Sequence, residues 1–155
     1  WKDPANKIDT NFFDFLNIAK DILRREIKNL RDLIEGESIV KKEVEIQAEP
    51  EILVLSQDLP WEQVMTKTKK VKIVVYPEPP SGSWCLENVR KNLGDFGSAS
   101  IFFPETWRGL GNGDLVLVCG VPGAVFCHRA GFFAVHQTKE GAIEMAKIAL
   151  QNSKN

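Results

Sequence analysis

The chain has 155 residues, with 20 basic and 21 acidic side chains and a net charge of −1. That length can build one domain with a real core, and the near balance of charge argues against a strongly basic nucleic-acid binder. No stretch is long and apolar enough to cross a membrane, and the first apolar cluster, Phe12 to Leu16, is interrupted by Asp14, unlike a signal peptide.

The chain begins at Trp1 and not at a methionine, so a fragment, a processed product or an engineered piece is expected. Cys85, Cys119 and Cys127 are too few and too scattered for a disulfide framework or a zinc knuckle. They lie in apolar runs, which reads as buried reduced thiols and fits an intracellular compartment. The two halves differ in charge. Residues 1–58 carry 9 basic and 13 acidic side chains, and residues 59–155 carry 11 and 8. Composition alone favours ordinary solvated charge; facing halves, or an anionic partner for the second half, would also account for it.

In chain order, residues 10–35 read as an amphipathic helix. Phe12, Phe13, Leu16, Ala19, Leu23, Ile27, Leu30 and Ile34 recur at three- and four-residue steps. Asp9 or Thr10 is the expected N-cap and Gly36 the expected stop. Glu37 to Ile46 suggests a second, shorter helix. Ile52 to Leu55 is a short strand, and Pro60-Trp61-Glu62 a helical turn opened by proline. Lys72 to Tyr76 reads as a buried strand, Pro77 to Gly82 as a turn, and Trp84 to Arg90 as the strand that completes a hairpin. Residues 91–103 look like loop, apart from Ile101-Phe102-Phe103. Asp114 to Cys119 fits a strand or a short buried helix equally. Ala124 to His128 and Phe132 to His136 form a strand pair turned at Ala130-Gly131. Thr138 caps a final helix, Lys139 to Gln151.

The expected fold is therefore α+β: a small, mostly antiparallel sheet of about four or five strands with helices at both ends. Residues 1–50 form a helical segment, and residues 51–155 form the α+β domain.

Several motifs between residues 60 and 146 carry a family resemblance. They are Pro60-Trp61, Gly82 with Trp84, Pro104-Glu105-Thr106-Trp107-Arg108-Gly109-Leu110, Gly120-Val121-Pro122-Gly123 leading to Phe126 and His128, Gly131-Phe132, and Thr138-Lys139-Glu140-Gly141-Ala142 with Met145-Ala146. Their order and spacing resemble the C-terminal part of the MYG family (named for melanocyte proliferating gene). Weak similarity extends back to Trp1. That family resembles the DHH phosphoesterases in its N-terminal domain, where a His-Asn-Gly…Phe-His-x-Asp-Glu motif and an Asp-His-His motif bind divalent metal. It is associated with 3′-to-5′ exonuclease action on RNA.

Neither metal motif occurs here. The resemblance implies a non-catalytic, substrate-side domain, with manganese or magnesium held by the parent's N-terminal catalytic domain. That domain is the first implied partner, single-stranded RNA the second, and a second copy docking through the helix at residues 10–35 a third. No membrane partner is implied. The family suggests a mitochondrial or nuclear location. The residues agree on the chemistry: two-metal hydrolysis needs clustered carboxylates and histidines, and the chain has only His128 and His136. A cysteine nucleophile would need an accessible, low-pKa thiol, which apolar runs do not provide.

The expected substrate-binding residues are His128, Arg108, Gly131 and Arg129. His128 would offer a hydrogen bond or partial charge to a phosphate; its structural alternative is a turn histidine bonded to backbone. Gly131 would let backbone approach the substrate. The family usually has two glycines where this chain has Ala134-Val135, and a small residue where it has Arg129. Either Arg129 supplies phosphate contact instead, or binding is weakened. Arg108 would grip a phosphate, or cap a helix end or pair with Glu105. Trp107, Trp61 and Trp84 read as core or cover residues. The run Lys67, Lys69, Lys70 and Lys72 reads as a solvated loop protecting a strand edge, with backbone tracking as its functional alternative. Thr138 and Glu140 serve as a cap and a favourable charge at the last helix. The alternative to substrate positioning is an interaction or regulatory domain with no substrate contact.

Overall fold

The computed structural model describes residues 5–48, 50–68 and 70–154. Trp1 and Lys69 lie outside these residues, as does the side chain of Asp9. The chain divides into two units at Gly36/Glu37.

The first unit is helical. Helix α1 runs over Ala5–Ile46 without a break. It starts upstream of Asp9 and Thr10, so neither is the N-cap, and it passes through Gly36, so the two expected helices are one. Glycine inside a helix costs only about 1 kcal/mol relative to alanine, and strong helix formers flank it on both sides. In the stretch up to Ile34 the apolar stripe is exposed: Phe12, Phe15, Leu23 and Ile34 are each 60% exposed or more.

The second unit contains a five-stranded sheet in the order β1-β2-β3-β5-β4. The strands are β1 (Ile52–Val54), β2 (Ile73–Glu78), β3 (Ser83–Asn88), β4 (Ala124–Cys127) and β5 (Phe133–His136). Only β1 and β2 are parallel; the other neighbours are antiparallel. Strand β2 extends through Pro77 to Glu78, shortening the expected turn. Proline is tolerated there because β1 ends opposite Val75, which leaves one edge of β2 without a neighbour.

Three more helices complete the unit: α2 (Glu62–Met65), α3 (Asn112–Cys119) and α4 (Lys139–Asn152). Asp114 to Cys119 is thus helical. Leu115 and Cys119, four apart, are its buried residues, and Gly120 closes it in the left-handed region with φ 74°. A single turn of 3-10 helix at Phe96–Ser98 interrupts the expected loop.

Alternation along the strands sends apolar side chains to both faces. On one face Ile73, Val75, Leu86, Cys127 and Ala134 meet α4 through Ala142, Met145, Ala146 and Ala149. On the other, Leu53 and Val74 pack with Val40, Val44, Trp61 and Val64. The second face is covered at the β1–β2 side. Toward β4 it carries Phe133 and Val135, both half-buried, and Phe126, which is exposed.

Candidate substrate site at the β4–β5 turn

Strand β4 ends in a tight turn that feeds β5. The Gly131 N–H donates to His128 O at 2.8 Å, and the His128 N–H donates to Phe133 O at 2.8 Å. Gly131 has φ +71°, a conformation that disfavours other residues by about 1–2 kcal/mol. The imidazole of His128 lies half-buried, 4.5 Å from the Phe132 ring. Its Nδ1 accepts from the Ala130 N–H at 3.1 Å, so in the neutral ring Nε2 carries the proton. Arg129 is exposed beside it.

Arg108 reaches this turn from a different part of the chain. Trp107 is buried and stacks on Phe103, as expected of a core residue. The following backbone runs beside β4: the Gly109 N–H donates to Cys127 O and the Cys127 N–H to Leu110 O, each at 3.0 Å. The Arg108 side chain then lies over Gly131. A Cβ on Gly131 would sit 2.5 Å from Arg108 Nε. Nε donates to Phe103 O at 2.9 Å, and the guanidinium stands 5.8 Å from the Phe102 ring centroid. Its ion pair with Glu105 is long, 3.8 Å, and Glu105 is 89% exposed, so solvent screens it. Arg108, His128, Arg129 and Gly131 are therefore brought to one turn.

Ala134 and Val135 occupy the middle of β5, between β3 and β4. The backbone there is bonded into the sheet on both sides. Gly131 at the turn is buried as well, with the Arg108 side chain over it. Asn88, fully buried, braces the turn: its Nδ2 donates to Ile101 O at 2.8 Å and to Gly131 O at 3.1 Å. Its Oδ1 has no partner among the described residues. Sequence reasoning missed Asn88, because an asparagine at a strand end reads as a turn residue.

It also missed the role of His136. This imidazole is 1% exposed. Nδ1 accepts from the Thr138 N–H at 2.9 Å, which places the proton on Nε2, 3.0 Å from Pro122 O. Two glycines make room for it: a Cβ on Gly123 would lie 3.1 Å from Cε1, and one on Gly141 would overlap the ring at 1.9 Å. The Gly-x-Pro-Gly and Thr-x-x-Gly motifs are explained by this clasp. Thr138 accepts from the Gly141 N–H and caps α4 as expected.

Burial pushes the Cys127 thiol up to about 11, although the Arg108 guanidinium opposes the shift, and it pushes Cys85 up to about 12. Neither suits a nucleophile at neutral pH. No group of three His, Cys, Asp or Glu among the described residues could hold a metal ion, so these residues do not fit a divalent-metal centre. No helix among the described residues is long and apolar enough to cross a membrane.

Comparison with known proteins places these features in a family. Residues 1–150 match the family model MYG1_exonuc, described as "Uncharacterised protein family (UPF0160)". The chain is 32% identical to rat MYG1 exonuclease over 97% of its own length and 42% of that protein. It is 27% identical to the nematode MYG1 protein C27H6.8 of Caenorhabditis elegans, over 97% of this chain and 48% of that one. It is 30% identical to a MYG1 protein of Chlamydia muridarum, over 96% and 52%. No solved structure matches. The chain spans about half the length of these relatives, and it belongs to the MYG1 family.

Proposed function

We propose that this chain positions substrate for a larger metal-dependent phosphoesterase, and that the substrate is single-stranded RNA. Manganese or magnesium, with the hydrolytic water, belongs to the part of the relatives' length that this chain does not span. The observation that carries the reading is the packing of Arg108 on Gly131. A guanidinium held by a backbone carbonyl, beside a turn that also bears His128 and Arg129, is a pre-oriented phosphate grip. The relatives named as exonucleases support a nucleic acid as substrate; the choice of single-stranded RNA is part of the proposal.

The roles divide as follows. Arg108 takes a phosphate oxygen with its terminal nitrogens, since Nε is engaged with Phe103 O. His128 Nε2–H donates to a second oxygen or a ribose hydroxyl. Arg129 adds exposed charge in place of the family's small residue, and Gly131 keeps a side chain out of Arg108's way. The test is fluorescence anisotropy with a short single-stranded RNA at low and moderate salt. Salt-sensitive binding that the double change Arg108→Ala and His128→Ala abolishes, without cleavage, is the expected result. Metal-dependent cleavage by the clean chain would sink the reading.

A second reading rests on the exposed apolar stripe of α1. Ten large apolar residues from Phe12 to Ile34 are more than a third exposed, an unusual arrangement for a surface helix. In this reading the helix docks against the rest of the full-length protein and the sheet touches no substrate. Full-length protein carrying Phe15→Ser and Leu23→Ser would then lose activity, while the four turn residues would be replaceable. A second copy of the chain would appear instead as a concentration-dependent mass.

A further inference from the structure

The Arg108–His128 turn offers groups that suit phosphate and ribose, and a nucleotide also carries a base. The aromatic next to Arg108 in sequence cannot meet one. Trp107 is 2% exposed and stacks on Phe103, so its faces are committed to the core. The aromatic next to the guanidinium in space is Phe102. Its ring centroid lies 5.8 Å from Arg108 Cζ, and 37% of the residue is open to solvent.

An exposed phenylalanine is ordinary by itself. Phe102 differs in how its backbone is held. Its two neighbours serve the core: Phe103 is fully buried and Ile101 packs against the same cluster, while the ring between them is exposed. The strap is fixed on both sides of that ring. Ile101 O accepts from Asn88 Nδ2 at 2.8 Å, and the Phe103 N–H donates to Gly131 O at 2.8 Å. Phe103 O accepts from Arg108 Nε at 2.9 Å. The carbonyl that orients the guanidinium and the ring beside it thus belong to consecutive residues, and both are anchored to the β4–β5 turn. The backbone under the ring needs little ordering when a ligand arrives.

We propose that Phe102 is the base-stacking residue of this site: an unpaired base of single-stranded RNA lies on its ring while Arg108 takes a phosphate of the same strand. The proposal rests on the functional reading above. The guanidinium takes one side of the ring, and the base takes the solvent side. Every base has a π-face, and stacking selects no hydrogen-bonding edge, so the contact is sequence-tolerant. It involves no phosphate, so it adds affinity that salt does not screen to a grip that salt weakens.

The experiment measures anisotropy with a short single-stranded RNA and with a strand of equal length and charge whose riboses are all abasic. The proteins are the wild-type chain, Phe102→Leu, which keeps apolar bulk without a π-face, and Phe102→Trp, which keeps the face. Thermal unfolding confirms that each variant folds. The wild type is expected to bind the base-bearing strand about tenfold more tightly than the abasic one, toward the lower end for one stacked base. Phe102→Leu is expected to bind both strands alike, at the wild type's abasic affinity and with an unchanged salt slope, since no phosphate contact is lost. Phe102→Trp keeps the preference, and the base-bearing strand quenches its added indole emission where the abasic strand does not. If Phe102→Leu keeps the preference at full affinity, the base sits elsewhere and the proposal fails while the functional reading stands. If Phe102→Leu keeps the preference but weakens both strands equally, the ring only holds Arg108 in place and stacking is overturned. If the wild type binds both strands alike, the phosphate grip stands without a base contact. If the wild type binds neither strand, both proposals fall.

Discussion

The two histidines sit at opposite ends of one hairpin and have opposite surroundings. His136 closes the open end, where β5 leaves for α4. Both ring nitrogens meet backbone, and two glycines are hollowed around the ring. His128 stands at the turn, half-buried against Phe132, with Nδ1 held by the turn itself and Nε2 carrying the proton. The same side chain therefore serves as a fastener at one end and as a presented group at the other. The difference lies in the neighbours: two glycines admit one ring completely, while the Phe126 and Phe132 rings flank the other and leave it half-exposed.

The largest effect that would break this contrast is expected at His136. His136→Ala leaves the Thr138 N–H and Pro122 O without their partner and opens a cavity, which should cost about 3 kcal/mol of stability. Gly141→Ala forces a methyl onto the ring and should cost about 2 kcal/mol, even though alanine favours a helix by about 1 kcal/mol. Urea unfolding of both single variants and the double variant checks the coupling. Once the ring is gone, Gly141→Ala should become neutral or stabilising. A stabilising Gly141→Ala with His136 in place would mean that the clasp does not exist.

Gly131 gives the next effect, and it tests the other end. Gly131→Ala suffers the left-handed φ of +71°, about 1–2 kcal/mol, and its methyl displaces Arg108. The displacement is cheap because the obstacle is a flexible side chain. Stability should therefore fall less than for the clasp variants, while RNA affinity falls to the level of Arg108→Ala. Normal RNA binding by Gly131→Ala would separate Arg108 from the site.

Much of the hairpin was legible in the sequence because its signals are local. The alternation in Phe132 to His136, the turn at Ala130-Gly131 and the Thr138 cap each depend on neighbours within four residues. Three features escaped for the opposite reason. Gly36 reads as a stop, yet helix formers on both sides outweigh one glycine. Asp114 to Cys119 is apolar nearly throughout, so neither period stands out, and burial of Leu115 and Cys119 decides for helix. The clasp joins Gly123, His136 and Gly141, which are 18 residues apart at their extremes. Only packing reveals that both glycines answer one imidazole. The turn residues were placed by family resemblance, since nothing local in Arg108 announces that it will lie over Gly131.

The smallest stability effect, and the sharpest use of the comparison, is His128→Ala. The change is chemically the same as at His136. It removes one hydrogen bond to the Ala130 N–H, a group exposed enough for water to replace the partner, and one ring contact with Phe132. A solvent-replaced hydrogen bond contributes about 1 kcal/mol or less, so the unfolding midpoint should barely move. On the proposed function RNA affinity should nevertheless drop, because Nε2–H is the group assigned to the ligand and makes no hydrogen bond among the described residues. His128→Gln, which can restore a donor near the same place, should recover part of the affinity at unchanged stability. A loss of stability as large as that of His136→Ala would show that His128 is a second fastener, and the case for a presented imidazole at the turn would then rest on Arg108 alone.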